Sequence, residues 1–256
     1  MLHFLSDLHL SPETPGATRL FLDYAAGEAR SAGRIFILGD LFEAWPGDDA
    51  IDDPADGFAR SVVDALRRLT DSGTRVAVLH GNRDFLLGER FVKGSGARLL
   101  PDPCVVPLSH GRFVLSHGDA LCDDPAYQSF RDEIRAPKWR EKFLVRPLAE
   151  RKAIVAAMRR QSEAAKREKT PQAMDLNVEA TDRFLRQHAC VAMIHGHTHR
   201  PGQHEHRVDD VRVERWVLSD WGEERGEYLA WDGCRLSRHG LGRSPPGRDD
   251  RIVSRS

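Results

Sequence analysis

The chain has 256 residues, which at roughly 150 residues per domain allows one large domain or a domain with a sizeable insertion. Hydrophobic residues make up 40% of the chain and charged residues 30%, which is typical of a soluble globular enzyme and excludes a disordered or collagen-like chain. The net charge of −1, from 38 Lys and Arg against 39 Asp and Glu, argues against nucleic acid as a partner.

The apolar runs of the chain are short. The longest, such as Arg34–Leu38 and Arg75–Leu79, are far below the roughly 20 residues that a membrane-spanning helix requires. The first ten residues interrupt their apolar side chains with Ser6, Asp7 and His9, which is unlike a signal peptide. The cysteines have no CxxC spacing, which is typical of reduced thiols; they are Cys104, Cys122, Cys190 and Cys234. We therefore expect a cytoplasmic protein.

Short runs rich in β-branched or aromatic residues predict five strands along the chain. They cover residues 2–6, 34–38, 75–80, 112–116 and 190–195. Helical patterns at 18–31 and 58–70 separate the first three runs, and a further helix is expected at 177–187, with later strands at 211–219 and 227–231. The alternation of strands and helices predicts an α/β fold with buried parallel strands.

A polar cluster follows each of the five predicted strands. The clusters are Asp7-Leu8-His9, Gly39-Asp40, Gly81-Asn82-Arg83-Asp84, His117-Gly118-Asp119 and Gly196-His197-Thr198-His199. Because ligands of open α/β sheets bind beyond the carboxyl ends of the strands, we expect these clusters to meet in one crevice. A single Asp-x-His or His-x-His is usually an ordinary turn, but five clusters in order indicate a functional site.

The side chains of these clusters are of the types that bind metal ions. The candidate metal ligands are Asp7, His9, Asp40, Asn82, His117, His195 and His197. Carboxylates, imidazoles and one amide, without a thiolate, suit Mn²⁺, Fe²⁺, Zn²⁺ or Co²⁺ rather than a structural zinc. Seven ligands exceed the need of one ion. With Asp40 as a bridge they would hold two ions about 3.5–4 Å apart, which clamps the attacking and leaving oxygens of a phosphoryl displacement.

The five clusters resemble, in order, the sequence blocks of the calcineurin-like metallophosphoesterases, over residues 7–199. The longer strings at 39–49, 81–85 and 195–201 resemble the UDP-2,3-diacylglucosamine diphosphatases of bacterial lipid A synthesis, and this match covers most of the chain. The resemblance implies an αββα sandwich with an inserted helical cap. It also implies two Mn²⁺ ions, or other divalent metals, and hydrolysis of UDP-2,3-diacylglucosamine to UMP and 2,3-diacylglucosamine 1-phosphate by attack on the α-phosphorus.

The resemblance also assigns roles to single residues. One ion would be held by Asp7, His9, Asp40 and His197, and the other by Asp40, Asn82, His117 and His195. The wider superfamily usually has His where this chain has Arg83. A guanidinium stays charged, so Arg83 would act in catalysis by stabilising phosphate charge, with Asp40 as the bridging ligand. The alternative for Arg83 is a surface ion pair with Asp84.

Substrate contacts implied by the resemblance extend from this site into the cap. They are Asn82, Arg83, Asp124, Ser162, Lys166, Lys169 and His195. Two features depart from the family pattern. Lys166 stands where the family commonly has Asn, and the segment from Cys122 to Pro125 is one residue shorter than usual.

Residues 124–169 lack strand signals and predict two or three helices of an inserted cap. The core then comprises residues 1–123 and 170–239, and residues 240–256 are expected to form a flexible tail. Between residues 131 and 169, 13 Lys and Arg stand against 6 Asp and Glu, a balance of +7. This charge is either a solvated helix face or a surface for the substrate diphosphate and an anionic membrane. An apolar stripe either floors an acyl-chain groove or seals the cap onto the body; it comprises Leu144, Leu148, Val155 and Met158.

Other functions compatible with the clusters are a cyclic-nucleotide phosphodiesterase, a nuclease and a metal-free protein scaffold. A nuclease would need a broad basic groove, whereas the basic charge here is confined to the cap. A scaffold would have lost metal ligands, and the pattern lacks none. The expected partners are therefore a UDP-linked diacyl sugar lipid and the cytoplasmic face of the inner membrane, with peripheral association and without nucleic acid.

Overall fold

The computed structural model describes residues 1–108, 111–167 and 176–242, apart from the side chains of 163 and 165–167. The strands are β1 Leu2–Leu5, β2 Arg34–Leu38, β3 Arg75–Leu79, β4 Arg98–Leu100, β5 Cys104–Leu108, β6 Gly111–Ser116, β7 Ala192–His195, β8 Gly202–Val208, β9 Val211–Val217, β10 Arg225–Trp231 and β11 Leu236–Gly242. The α-helices are α1 Pro15–Ala26, α2 Phe58–Asp71, α3 Glu89–Ser95, α4 Pro125–Arg135, α5 Pro137–Leu144, α6 Leu148–Arg167 and α7 Val178–His188. None of these helices is long and apolar enough to cross a bilayer.

The strands form two sheets, and the polar clusters follow the parallel strands β1, β2, β3, β6 and β7. The first sheet has the order β11-β10-β1-β2-β3-β4, with β1 to β4 parallel. The second has the order β5-β6-β7-β9-β8, with β6, β7 and β9 parallel. The predicted run β1-α1-β2-α2-β3 is confirmed.

Side chains alternate along the strands between two apolar layers. Phe4 and Leu38 of the first sheet pack against Leu115 and Ile194 of the second, and this cluster fills the space between the sheets. The intervening residues of β1, β2 and β3 point to the other face of the first sheet, where they pack under α1 and α2. Leu185 of α7 packs on the outer face of the second sheet. The predicted αββα sandwich is therefore confirmed.

The edge strands β8 and β11 carry little apolar pattern and were not predicted. In β11, Gly240 pairs with Glu227 and Gly242 with Arg225. The first three residues of the predicted tail 240–256 therefore belong to a paired strand, and the rest of that tail lies outside the described residues. An edge strand has one open side and tolerates charged and glycine residues, which removes the alternation that strand prediction requires.

The predicted cap, residues 124–169, contains α4, α5 and α6, and apolar contacts join it to the body. Ile134 and Phe143 are buried in the cluster under α2, where Val155 and Met158 also pack. The sealing role therefore holds for Val155 and Met158. Leu144, from the same predicted stripe, is 41% exposed.

Ion pairs also join α6 to the loop that follows β2. Arg151, Lys152 and Arg159 pair with Asp49, Asp53 and Glu43, respectively. Arg151 is almost fully buried and also donates to the Pro46 carbonyl at 2.6 Å. Part of the basic charge of the cap therefore contacts carboxylates of the body rather than solvent.

Candidate metal centre

The loops that follow β1, β2 and β7 place non-glycine residues in the left-handed backbone region. Their φ values lie between 49° and 68°, and the residues are Asp7, His9, Asp40, His197 and His199. This conformation costs about 1–3 kcal/mol per residue and is concentrated at functional sites. Hydrogen bonds between neighbouring loops hold it, including His9 N to the Asp40 carbonyl at 3.0 Å and His197 N to Asp7 Oδ2 at 2.9 Å. The backbone is thus strained where the candidate ligands cluster.

Two glycines let the backbone approach the site carboxylates closely. A Cβ on Gly81 would lie 2.0 Å from Asp40 Oδ1, and one on Gly196 would lie 2.1 Å from Asp7 Oδ2. Any side chain at either position would displace a carboxylate.

The first group of ligands comprises Asp7, His9 and His199. The Nε2 atoms of the two histidines lie 3.2 Å apart, and Asp7 Oδ1 lies 3.3 Å from His199 Nε2 and 3.9 Å from His9 Nε2. Asp7 Oδ1 is buried and has no hydrogen bond of good geometry among the described residues. Burial alone would raise the pKa of Asp7, but His199, His117 and His9 hold it far below its usual range. An ionised, orphaned oxygen facing two imidazole nitrogens fits a divalent cation.

The second group comprises Asn82, His117 and His197. Asn82 Oδ1 lies 2.9 Å from His117 Nε2 and 3.0 Å from His197 Nδ1. Burial alone would lower the pKa of His117, but Asp40, Asp7 and Asp119 raise it to about 9. The surrounding carboxylates therefore favour a positive charge at this point, which a metal ion would supply in place of the proton.

Asp40 lies between the two groups. Its Oδ1 is 3.7 Å from His117 Nε2, and its Oδ2 is 3.8 Å from His9 Nε2. Oδ1 also accepts a hydrogen bond from the Arg83 backbone N–H at 2.8 Å, so the carboxylate is oriented by the next loop. This is the position expected of a bridging ligand.

The structure does not bring His195 into this centre and brings His199 instead. His195 is the last residue of β7, and its Nε2 lies 3.1 Å from the buried Arg215. Burial and Arg215 lower the pKa of His195 to about 3. The geometry therefore gives no support to the prediction of His195 as a metal ligand. His197, which was predicted to share an ion with His9, instead lies next to Asn82.

A signal in the sequence could have identified His199. The candidate ligands Asp7, Asp40, Asn82 and His117 all follow the last residue of their strand. By the same rule, the candidate ligands after β7 are the histidines at the second and fourth positions beyond His195.

Carboxylates behind the ligands orient them. His9 Nδ1–H donates to Glu43 Oε2 at 2.5 Å. Asp84 is fully buried and accepts the backbone N–H groups of Leu41 and Gly81, each at 2.8 Å, which ties the loops after β2 and β3 together. Burial and the charge of Asp40 raise the pKa of Asp84 to about 6.

The predicted substrate residues of the cap differ in what the structure describes of them. The Asp124 side chain caps α4 by accepting the backbone N–H groups of Ala126 and Tyr127. Ser162 is exposed on α6. The side chain of Lys166 and all of Lys169 lie outside the described residues.

Comparison with known proteins places this geometry in a family. The family model of the calcineurin-like phosphoesterases matches residues 2–201. The chain is 48% identical over 232 residues to a UDP-2,3-diacylglucosamine hydrolase of Aromatoleum aromaticum, which covers 90% of this chain and 93% of the relative. Hydrolases of the same name from Aeromonas hydrophila and Chromohalobacter salexigens are 45% and 44% identical, covering 93% and 87% of this chain and 98% and 89% of the relatives. The chain therefore belongs to the calcineurin-like phosphoesterases, within the branch of the UDP-2,3-diacylglucosamine hydrolases.

Proposed function

We propose that this chain hydrolyses the pyrophosphate bond of UDP-2,3-diacylglucosamine to UMP and 2,3-diacylglucosamine 1-phosphate. The observation that carries this proposal is the position of Asp40 between two groups of converging ligands, in a chain whose curated relatives are named for this hydrolysis. Such a shared carboxylate is the arrangement of a two-metal phosphoesterase site.

We assign two divalent cations, Mn²⁺ in our proposal, to these ligands. One ion would be held by Asp7, His9, Asp40 and His199, and the other by Asp40, Asn82, His117 and His197. The first set contains the buried, orphaned Asp7 oxygen, and the second contains an amide oxygen that faces two imidazole nitrogens. When bound, a pair of such ions lowers the pKa of a coordinated water and neutralises phosphate charge.

The chain's own residues orient the phosphates. Arg83 leaves the loop beside the bridging carboxylate, since its backbone N–H donates to Asp40 Oδ1. Its guanidinium stays charged at any ordinary pH and would neutralise charge that develops on the phosphate during attack at the α-phosphorus.

Ser162, Lys166 and Lys169 remain proposed contacts to the substrate. Arg159 pairs with Glu43, which in turn binds His9, so this part of α6 lies next to the metal centre. Ser162 follows Arg159 by three residues and shares its helix face. For Asp124 we propose an indirect role. Its side chain caps the first turn of α4 and so supports the substrate pocket, without binding the substrate itself.

We further propose that the protein is cytoplasmic and binds the inner membrane peripherally through the turn between α5 and α6. Val145 is 83% exposed and Leu144 41% exposed, with Lys142 and Arg146 beside them. Apolar side chains flanked by basic ones favour an anionic lipid surface. Flotation with anionic liposomes at low salt should carry the native protein upward, and the variant Val145→Asp should float less. Native protein that stays entirely at the bottom would contradict this attachment.

The function is tested by measuring UMP release from UDP-2,3-diacylglucosamine with and without Mn²⁺, in ¹⁸O-labelled water. Attack on the α-phosphorus predicts that the label enters UMP rather than the sugar phosphate. Asp40→Asn should abolish release, whereas Asp23→Asn, an exposed carboxylate on α1, should leave it unchanged. Cleavage of bis-p-nitrophenyl phosphate, a cyclic nucleotide or DNA without UMP release would overturn the proposal.

A further inference from the structure

Asp119 is a fully buried carboxylate that accepts hydrogen bonds from side chains on one face of α4. Its Oδ2 accepts hydrogen bonds from Tyr127 Oη at 3.2 Å, Arg131 Nε at 2.7 Å and Arg135 Nη2 at 3.0 Å. These donors stand four residues apart, so they share one face of the helix. A buried anion requires such partners, and α4 is thereby docked beside the metal centre.

Arg135 also reaches the loop that carries Asn82. Its Nη2 donates to the Gly81 carbonyl at 2.9 Å, which belongs to the peptide that joins Gly81 to Asn82. The guanidinium carbon lies 5.8 Å from the ring centroid of Phe85, farther along the same loop. One nitrogen atom therefore links the backbone next to Asn82 with the carboxylate that follows His117 by two residues.

Arg135 therefore joins the two loops whose side chains, Asn82 and His117, must converge at the metal centre. Asn82 Oδ1 and His117 Nε2 lie 2.9 Å apart, although the residues come from loops after different strands of different sheets. We propose that Arg135 is a positioning residue, which fixes the Gly81–Asn82 peptide against Asp119 and so preforms the Asn82–His117 half of the metal centre. This inference rests on the metal centre of the proposed function, but its tests measure metal binding and do not depend on UMP release.

Arg131 provides a matched comparison for Arg135. Both arginines donate to Asp119 Oδ2 from the same helix face, and the bond to Gly81 comes from Arg135. The variants Arg135→Ala and Arg131→Ala thus each remove one partner of Asp119, while the first also releases the Asn82 loop. The proposal predicts unequal effects on metal binding.

Mn²⁺ binding is measured by the loss of the free-ion electron paramagnetic resonance signal on addition of protein. We expect Arg135→Ala to weaken the affinity for one of the two ions by about 10–100-fold, the usual effect of removing a group that orients a ligand. Arg131→Ala should stay within about 3-fold of the native protein, well below that range. Equal losses in the two variants, or native affinity in Arg135→Ala, would overturn the proposal.

Added methylguanidinium supplies a second readout. It should restore Mn²⁺ affinity to Arg135→Ala by occupying the vacated space, and failure of rescue in a folded variant would count against the positioning role. Arg183→Ala, which removes an exposed arginine paired with Glu179 on α7, controls for the loss of one positive charge. If Arg135→Ala does not fold, Arg135→Lys replaces it, because its ammonium keeps the charge near Asp119 but ends short of the Nη2 position. Native Mn²⁺ affinity in Arg135→Lys would then overturn the proposal.

The two proposals fail in different ways. A native chain that binds Mn²⁺ but releases no UMP would refute the proposed function and leave the binding comparison intact. A native chain that releases UMP, together with an Arg135→Ala variant of native Mn²⁺ affinity, would refute the positioning role alone.

Discussion

The His9 ring donates its Nδ1–H to Glu43, and this directs its Nε2 toward Asp7 and Asp40. Glu43 also pairs with Arg159 of α6, so the cap reaches the metal centre through one carboxylate. A carboxylate behind a histidine ligand fixes the ring orientation and raises its basicity.

Replacing Glu43 should therefore weaken metal binding without removing a ligand. We expect Glu43→Gln to lower Mn²⁺ affinity by about 10–100-fold, because the neutral amide polarises the ring less and no longer pairs with Arg159. Titration calorimetry with Mn²⁺ measures this. Glu89→Gln, which alters an exposed pair with Lys93, is the control, and equal affinities in the two variants would argue against the orienting role.

The variants His199→Asn and His195→Asn distinguish the two assignments of the histidines after β7. His199→Asn should reduce the bound Mn²⁺ from two ions to one, since His199 Nε2 faces Asp7 and His9. His195→Asn should retain both ions and lose thermal stability, because buried Arg215 loses a partner. Metal content and melting temperature together decide the matter. Loss of an ion only in His195→Asn would restore the assignment made from the sequence.

Arg83→Ala should separate binding of metal from turnover. We expect both ions to be retained, since the bond to Asp40 comes from the Arg83 backbone N–H. The value of kcat for UMP release should fall by about 10²–10³-fold, as when one donor to a developing oxyanion is removed. A change in KM with native kcat would instead assign the side chain to ground-state binding.

His3 should make the stability of the fold depend on pH. Burial, with a smaller effect of His239, lowers the pKa of His3 to about 4 from an unfolded value of about 6.5. Between these values the unfolded chain binds a proton that the folded chain does not, so the contribution of His3 is complete above pH 6.5 and is lost as the pH falls to 4. Urea unfolding at several pH values should show His3→Gln less stable than the native protein at pH 7.5, with a difference that narrows toward pH 4. A constant difference would mean that His3 does not titrate on unfolding.

The sequence by itself determined the class of fold and most of the candidate metal ligands. Strand alternation and the helical patterns between the first strands specify the β1-α1-β2-α2-β3 run, because both are local consequences of which side chains face the core. Polar residues after successive parallel strands must meet at one edge, and this brought Asp7, Asp40 and His117 together in the structure as expected. The resemblance to the calcineurin-like family, confirmed by the comparisons, rests on the same clusters.

Only the tertiary structure decided which residues far apart in the sequence contact each other. The partner of His195 is Arg215 of the neighbouring strand β9, and nothing in the β7 segment alone identifies that partner. The loop after β2 partly neutralises the basic cap, and α4 packs on Asp119. Neither contact could be predicted, because the sequence around a charged side chain does not indicate which distant residue it pairs with. The strand β11 was equally hidden, since an edge strand is held by backbone hydrogen bonds that any sequence can make.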